Sequence, residues 1–146
     1  MKKKKIIILS IIILALSGGL YAYMEFNRKV KDLSRVRADV KFKSGELIQE
    51  FEKDEKAANA LYLDKIISVQ GQLKAIEKDL ANNYSLVLGD AASMSSVRCS
   101  MDADHQDDIQ HLKEGVYVSV KGACTGFNAD ELLGSDVILN RCVIQD

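Results

Sequence analysis

The sequence predicts a mainly β domain, a five-stranded Greek-key barrel, carried behind one N-terminal transmembrane helix. Three observations predict it. An uncharged apolar run opens the 146-residue chain. Apolar residues then recur at helical spacing for one stretch only. From residue 67 onward they alternate with a period of two in five short runs, with one polar, helix-like insert after the third.

The opening run spans residues 6–24, 19 residues broken only by Ser10, Ser17, Gly18 and Gly19. A helix needs about 20 mainly apolar residues to cross a bilayer, so the run is just long enough. Tyr21 and Tyr23 stand at its far end, where aromatic rings favour the headgroup zone. The competing reading is a cleaved signal peptide, with Lys2, Lys3, Lys4 and Lys5 as its charged region and 6–16 as its apolar region. Leu16-Ser17-Gly18 matches the start of a lipoprotein signal, but Gly19 stands where the lipid-accepting cysteine belongs, so lipidation is set aside. The compact lysine cluster abutting the run favours export of the C-terminal domain, against the pull of Arg28, Lys29, Lys31, Arg35 and Arg37 on the other side. The expected location is the cell (inner) membrane, crossed once, with the C-terminal domain facing the periplasm or cell exterior.

Residues 25–43 read as a basic juxtamembrane linker and 44–146 as the folded domain. Residues 1–37 carry nine Lys/Arg against two Asp/Glu, whereas 44–146 carry nine against eighteen. Basic residues beside a membrane are drawn to anionic lipid, but a plain solvated linker is the favoured reading of this stretch. An acidic domain repels phosphate backbones and makes a nucleic-acid partner unlikely on charge.

Within the domain, Ser44 is placed to cap an amphipathic helix of roughly five turns. Leu47, Ile48, Phe51, Ala58, Leu61 and Tyr62 form its apolar face. Ile67, Val69, Gly71 and Leu73 make the first strand, and Lys78-Asp79 with Asn82-Asn83 mark a turn. Tyr84, Leu86 and Leu88 make the second strand; Val97, Cys99 and Met101 make the third. Residues 102–114 are polar, with Ile109 and Leu112 spaced for a short helix that Gly115 ends. Val116, Val118, Val120 and Gly122 form the fourth strand, and 137–144 the fifth. Three strands, a helix and two strands in about 80 residues is the order of the OB-fold. Gly71 and Gly122 suit the sharp coiling of so small a barrel.

Particular residues carry a family resemblance. Asp54-Glu55-Lys56-Ala57, Tyr62-x-x-Lys65 and Ile67-x-Val69-x-Gly71 resemble the entry of the tRNA_anti-like family of bacterial OB-fold proteins. Val97-x-Cys99, Leu112-x-x-Gly115, Val120-Lys121-Gly122-x-Cys124-Thr125-Gly126 and Leu139-x-x-Cys142-x-Ile144 look like its later parts. The resemblance covers about 44–146. It implies an OB domain, often behind a membrane segment or signal, and cysteines at these three positions. The family name records likeness to anticodon-binding domains and does not establish tRNA binding.

Outside the cytoplasm, two of the three cysteines are expected to pair. The third and fifth strands of an OB barrel run side by side and parallel, which favours Cys99 with Cys142. Cys124 with Cys142 is the competitor and needs a bulge near Asn140-Arg141. Three buried free thiols are the remaining alternative. Asp102, Asp104, His105, Asp107, Asp108 and His111 crowd one segment, but the spacing of a calcium loop is missing, and no metal or other cofactor is expected. No nucleophile or phosphate-loop motif is present, so no enzyme is expected.

An OB domain that binds single-stranded nucleic acid presents aromatic rings and cations on its second and third strands. Here the outward positions read as Ser85, Val87, Arg98 and Ser100. The expected contacts lie instead in loops 74–83 and 125–136, with Lys74, Lys78, Asn82, Asn83, Arg98 and Phe127 as the named residues. The function expected is a membrane-tethered binding or scaffold module for a protein or envelope component. A single-stranded nucleic-acid or tRNA binder is the alternative.

Overall fold

The computed structural model describes residues 2–26, 32–130 and 132–145, with side chains described from Ile13 onward. The chain forms two compact units, 1–31 and 32–146. The first holds helix α1, Lys2–Phe26. Among the described residues no helix is long and apolar enough to cross a membrane. The run expected to span, 6–24, lies partly outside the residues whose side chains are described.

The second unit is the barrel. Strands β2 (Ile66–Lys78), β3 (Tyr84–Leu88), β4 (Ser96–Met101), β5 (Tyr117–Asp130) and β6 (Gly134–Gln145) appear in the expected order. They lie side by side as β2-β3-β4-β6-β5, and β5 returns to pair antiparallel with β2, closing the barrel. The β4–β6 pair is parallel. This is OB topology, built because alternate residues of each strand are apolar and face inward: Ile67, Val69, Leu86, Leu88, Val97, Val120 and Leu139 are fully buried. Helix α2 (Ser44–Lys53) adds Leu47 and Phe51 to the same core. Each such side chain contributes about 1.5–3 kcal/mol on burial.

Five expectations need correction. A sixth strand, β1 (Val40–Lys43), pairs parallel with Ile67, Ser68, Val69 and Gln70 of β2. It occupies the edge that β3 leaves uncovered, since β3 pairs only from Leu73 onward. The compact unit therefore starts inside the stretch read as linker. Leu33 is buried in a 3-10 turn (Leu33–Arg35), and the buried Lys121 ammonium donates to the carbonyls of Ser34 (3.1 Å) and Val36 (2.7 Å).

The amphipathic helix is two helices, because Asp54 leaves helical geometry and its carboxylate accepts from Ala57 N at 2.9 Å, capping α3 (Glu55–Tyr62). Ser44 is not the cap of α2. Lys43 holds that position, its amide donating to the Glu46 carboxylate at 3.1 Å, and Ser44 is buried against Gly71. The insert after β4 is a 3-10 helix, Ala103–His111, kinked at His105. Lastly, most of the expected loop 125–136 is paired strand, with Asn128 opposite Asp136 and Asp130 opposite Gly134. The tip turns at Gly134 (φ +87°), while the Asp130 carboxylate accepts from the amides of Leu132 and Leu133.

Candidate ligand-binding surfaces

The usual OB ligand face is the outer side of the second and third barrel strands, here β3 and β4. Arg98 lies across it. Its Nη1 donates to Glu77 Oε2 on β2 at 2.6 Å, and its Nε donates to Asp136 Oδ2 on β6 at 2.6 Å. The Ser96 hydroxyl completes the cluster by donating to the other Asp136 oxygen at 2.5 Å. The two carboxylates hold the guanidinium pKa above its ordinary value, the Asp136 hydrogen bond contributing most. Ser85 and Ser100 face each other at 3.4 Å. Val87, read as outward, is buried between its in-register neighbours Ala75 and Arg98. The face thus offers a cation already matched by two anions, and none of its outward positions carries an aromatic ring.

The other named contact residues are mostly committed to the fold. The Lys74 ammonium donates to Ser93 O at 2.7 Å and holds the β3–β4 turn. Lys78 lies 5.0 Å from the centre of the Tyr84 ring. Asp79 ties the β2–β3 turn, accepting from the Asn83 amide (2.9 Å) and side chain (3.0 Å). Asn82 is exposed with a left-handed φ of +66°. Phe127 stacks on Phe51 at 5.1 Å and packs on the core, so it is a structural residue of the β5–β6 hairpin.

The open surface is elsewhere. Two adjoining cavities of about 490 Å³ each run along the outer side of β1, β2 and β5, sharing Lys43, Glu46 and Gln70 in their walls. Gln70 and Gln72 project from β2 and Tyr117 from β5, and the tip of α2 forms one rim. The floor at this rim is the contact of Ser44 with Gly71, where an added Cβ would sit 2.5 Å from the Ser44 oxygen. Gln70, Gln72 and Tyr117 are not among the contacts expected from the sequence. The alternation that buries Ile67 and Val69 is the signal that marks Ser68, Gln70 and Gln72 as outward.

The structure brings two cysteines together. Cys99 and Cys142 are both buried on the paired strands β4 and β6, near enough for the Cys99 thiol to act on that of Cys142. Burial first, and the Cys99 contact second, push the Cys142 thiol well above its ordinary pKa. A bulge does occur near Arg141 (φ +54°), but it leaves Cys124 opposite Leu139, away from Cys142. All three cysteines are free thiols in this structure.

His105 bridges two carboxylates, Asp108 at 2.8 Å and Asp32 at 3.2 Å. The Asp108 hydrogen bond is the main cause that raises its pKa. Hydrogen bonds from the hydroxyl and amide of Ser34 lower Asp32 to about 2. His111 is exposed, beside Asp107 and Asp108. Among the described residues no group of three His, Cys, Asp or Glu side chains is arranged to hold a metal ion.

The fold is similar to that of a Klebsiella pneumoniae subsp. pneumoniae MGH 78578 protein described as a "putative nucleic acid-binding lipoprotein", at 17% identity and a TM-score of 0.58, covering 81% of this chain and 100% of that one. At that identity the likeness shows the fold alone. Two Entamoeba histolytica enzymes align more weakly. Asparaginyl-tRNA synthetase, solved with asparaginyl-adenylate, matches at 13% identity and TM-score 0.37 over 56% of this chain and 20% of its own. Aspartyl-tRNA synthetase matches at 9% and 0.36 over 57% and 19%. Likeness at that level carries no argument about this chain. No curated protein sequence matches it. Residues 1–143 match the tRNA_anti-like family, and the chain belongs to that family.

Proposed function

We propose that this protein is a membrane-tethered, extracytoplasmic OB-fold binding or scaffold module without enzymatic activity, whose ligand is an envelope component and not a nucleic acid. The observation that carries the choice of ligand is the Arg98 cluster. The cation on the usual OB face is held by Glu77 and Asp136, so a phosphate backbone would have to displace two carboxylates at 2.6 Å. The tether rests on the 19-residue apolar run behind four lysines. The test is titration of the full chain, in phosphocholine nanodiscs, with a fluorescent oligodeoxythymidine at about 50 mM salt. No binding is expected. Binding that falls steeply with added salt overturns this reading.

Compartment has its own test, the intact mass of native protein extracted without reductant and with free thiols alkylated. The expectation is an uncleaved chain carrying one alkyl group, with Cys99 and Cys142 joined and Cys124 free. Three alkyl groups would remove the disulfide and with it the support for an oxidising compartment.

The second reading is a single-stranded nucleic-acid binder. It is favoured by the description of the Klebsiella pneumoniae protein, whose fold this chain shares. The same titration decides between the two.

A further inference from the structure

We infer that the groove along β1, β2 and β5 binds a neutral oligosaccharide. This rests on the proposed function and names both the site and the ligand class. The groove is rich in side chains that both donate and accept. Gln49 and Gln70 line it, and neither side chain makes a hydrogen bond among the described residues. Gln72 donates its amide N–H to Gly115 O at 3.1 Å, which leaves its carbonyl oxygen for a ligand. Gln145 accepts from the hydroxyls of Ser68 and Ser119, which leaves its NH₂. A sugar hydroxyl is donor and acceptor at once, and an amide side chain answers both roles. Tyr117, 75% exposed, offers an aromatic face at one wall, a flat apolar surface for the ring of a sugar.

Charge narrows the class. The groove carries Lys41 and Lys43 against Glu46 and Asp90, which balance. A polyanion or a polycation gains nothing there. A peptide adding as a strand is disfavoured too, because the available edge is β1, four residues long with both lysines exposed, the features that discourage strand addition. OB barrels accommodate oligosaccharides in general, though by a different face.

The test uses the full chain in phosphocholine nanodiscs, titrated calorimetrically with cellotetraose and with chitotetraose. At least one is expected to bind. Gln70→Ala and Tyr117→Ala should each weaken it by about tenfold, while Glu77→Gln leaves it unchanged. Both groove positions are on exposed faces, and unchanged thermal melting confirms the variants are folded. If neither tetrasaccharide binds, or if binding survives both groove substitutions, the inference is overturned and the proposed function stands. An uncharged extended peptide that binds where the sugars do not also overturns it. Oligonucleotide binding overturns both.

Discussion

The two outer faces of this barrel use similar polar residues in opposite ways. On the β3–β4 face, Arg98 joins Glu77 of β2 and Asp136 of β6, Ser96 bonds to Asp136, and Ser85 bonds to Ser100. Along the groove on β1, β2 and β5, the side chains of Gln49 (α2) and Gln70 (β2) make no such bond among the described residues, and those of Gln72 (β2) and Gln145 (β6) are each half engaged. A polar group satisfied within the protein gains little from a ligand, because the ligand replaces a bond that already exists. A group facing only water exchanges that water at small net cost. The family fold therefore does not say which face binds. That is decided by where the side chains have exhausted their partners.

The largest effect should come from the floor of the open face. Gly71→Ala puts a Cβ 2.5 Å from the Ser44 oxygen and 2.9 Å from its Cβ, and α2 must lift from β2 to make room. The expected loss is about 1–3 kcal/mol, typical of overpacking. Removing the obstruction with Ser44→Gly in the same chain should recover most of it. Chemical denaturation of the four members of this cycle measures the coupling. Additive losses would mean that the contact does not seat the helix.

On the closed face, Asp136→Asn should cost about 1–2 kcal/mol, since Asp136 accepts from both Arg98 and Ser96 and its side chain is only 22% exposed. Glu77→Gln should cost about 0–1 kcal/mol, as expected of a half-exposed pair. The double variant frees Arg98. If self-neutralisation is what closes this face, that variant should show a salt-sensitive oligonucleotide affinity above that of the parent. No gain would show that the missing aromatic rings, and not the paired charges, close it.

The barrel is legible in the sequence because its signal is local. Alternation of apolar and polar residues is readable in parts of β2 to β6 and gives the order, although β3 and β5 also bury consecutive residues such as Val87 and Lys121. β1 is not legible. Val40, Lys41, Phe42 and Lys43 alternate correctly, but they lie in a basic stretch, and only the uncovered edge of β2 makes them a strand. The end of the β5–β6 hairpin escapes for a related reason. Asn128, Ala129 and Asp130 have poor strand propensity, and register with 134–136 overrides it. Arg98 reads correctly as outward, yet Glu77 and Asp136 stand 21 and 38 residues away, and no spacing rule reaches that far. Phe127 reads as a loop contact because its stacking partner, Phe51, comes from a helix far away in the chain.

The smallest effect concerns pH, at a place that belongs to neither face. His105 joins the start of the compact unit, at Asp32, to the 3-10 helix at Asp108. Its folded pKa is raised, so its contribution is fully present below the unfolded value of about 6.5 and fades as pH rises through the folded one. Asp32 behaves oppositely. It is lowered from 3.8 to about 2, so its contribution is present above 3.8 and is lost as pH falls towards 2. Stability from this cluster should peak between these limits. The melting temperature should decline modestly above about pH 6.5, where His105 loses its proton. His105→Gln should remove that decline while leaving the acid limb in place. Parallel pH profiles for the two proteins would mean that the bridge holds no free energy, and that Lys121 and the buried Leu33 fix the segment at 33–36 to the barrel.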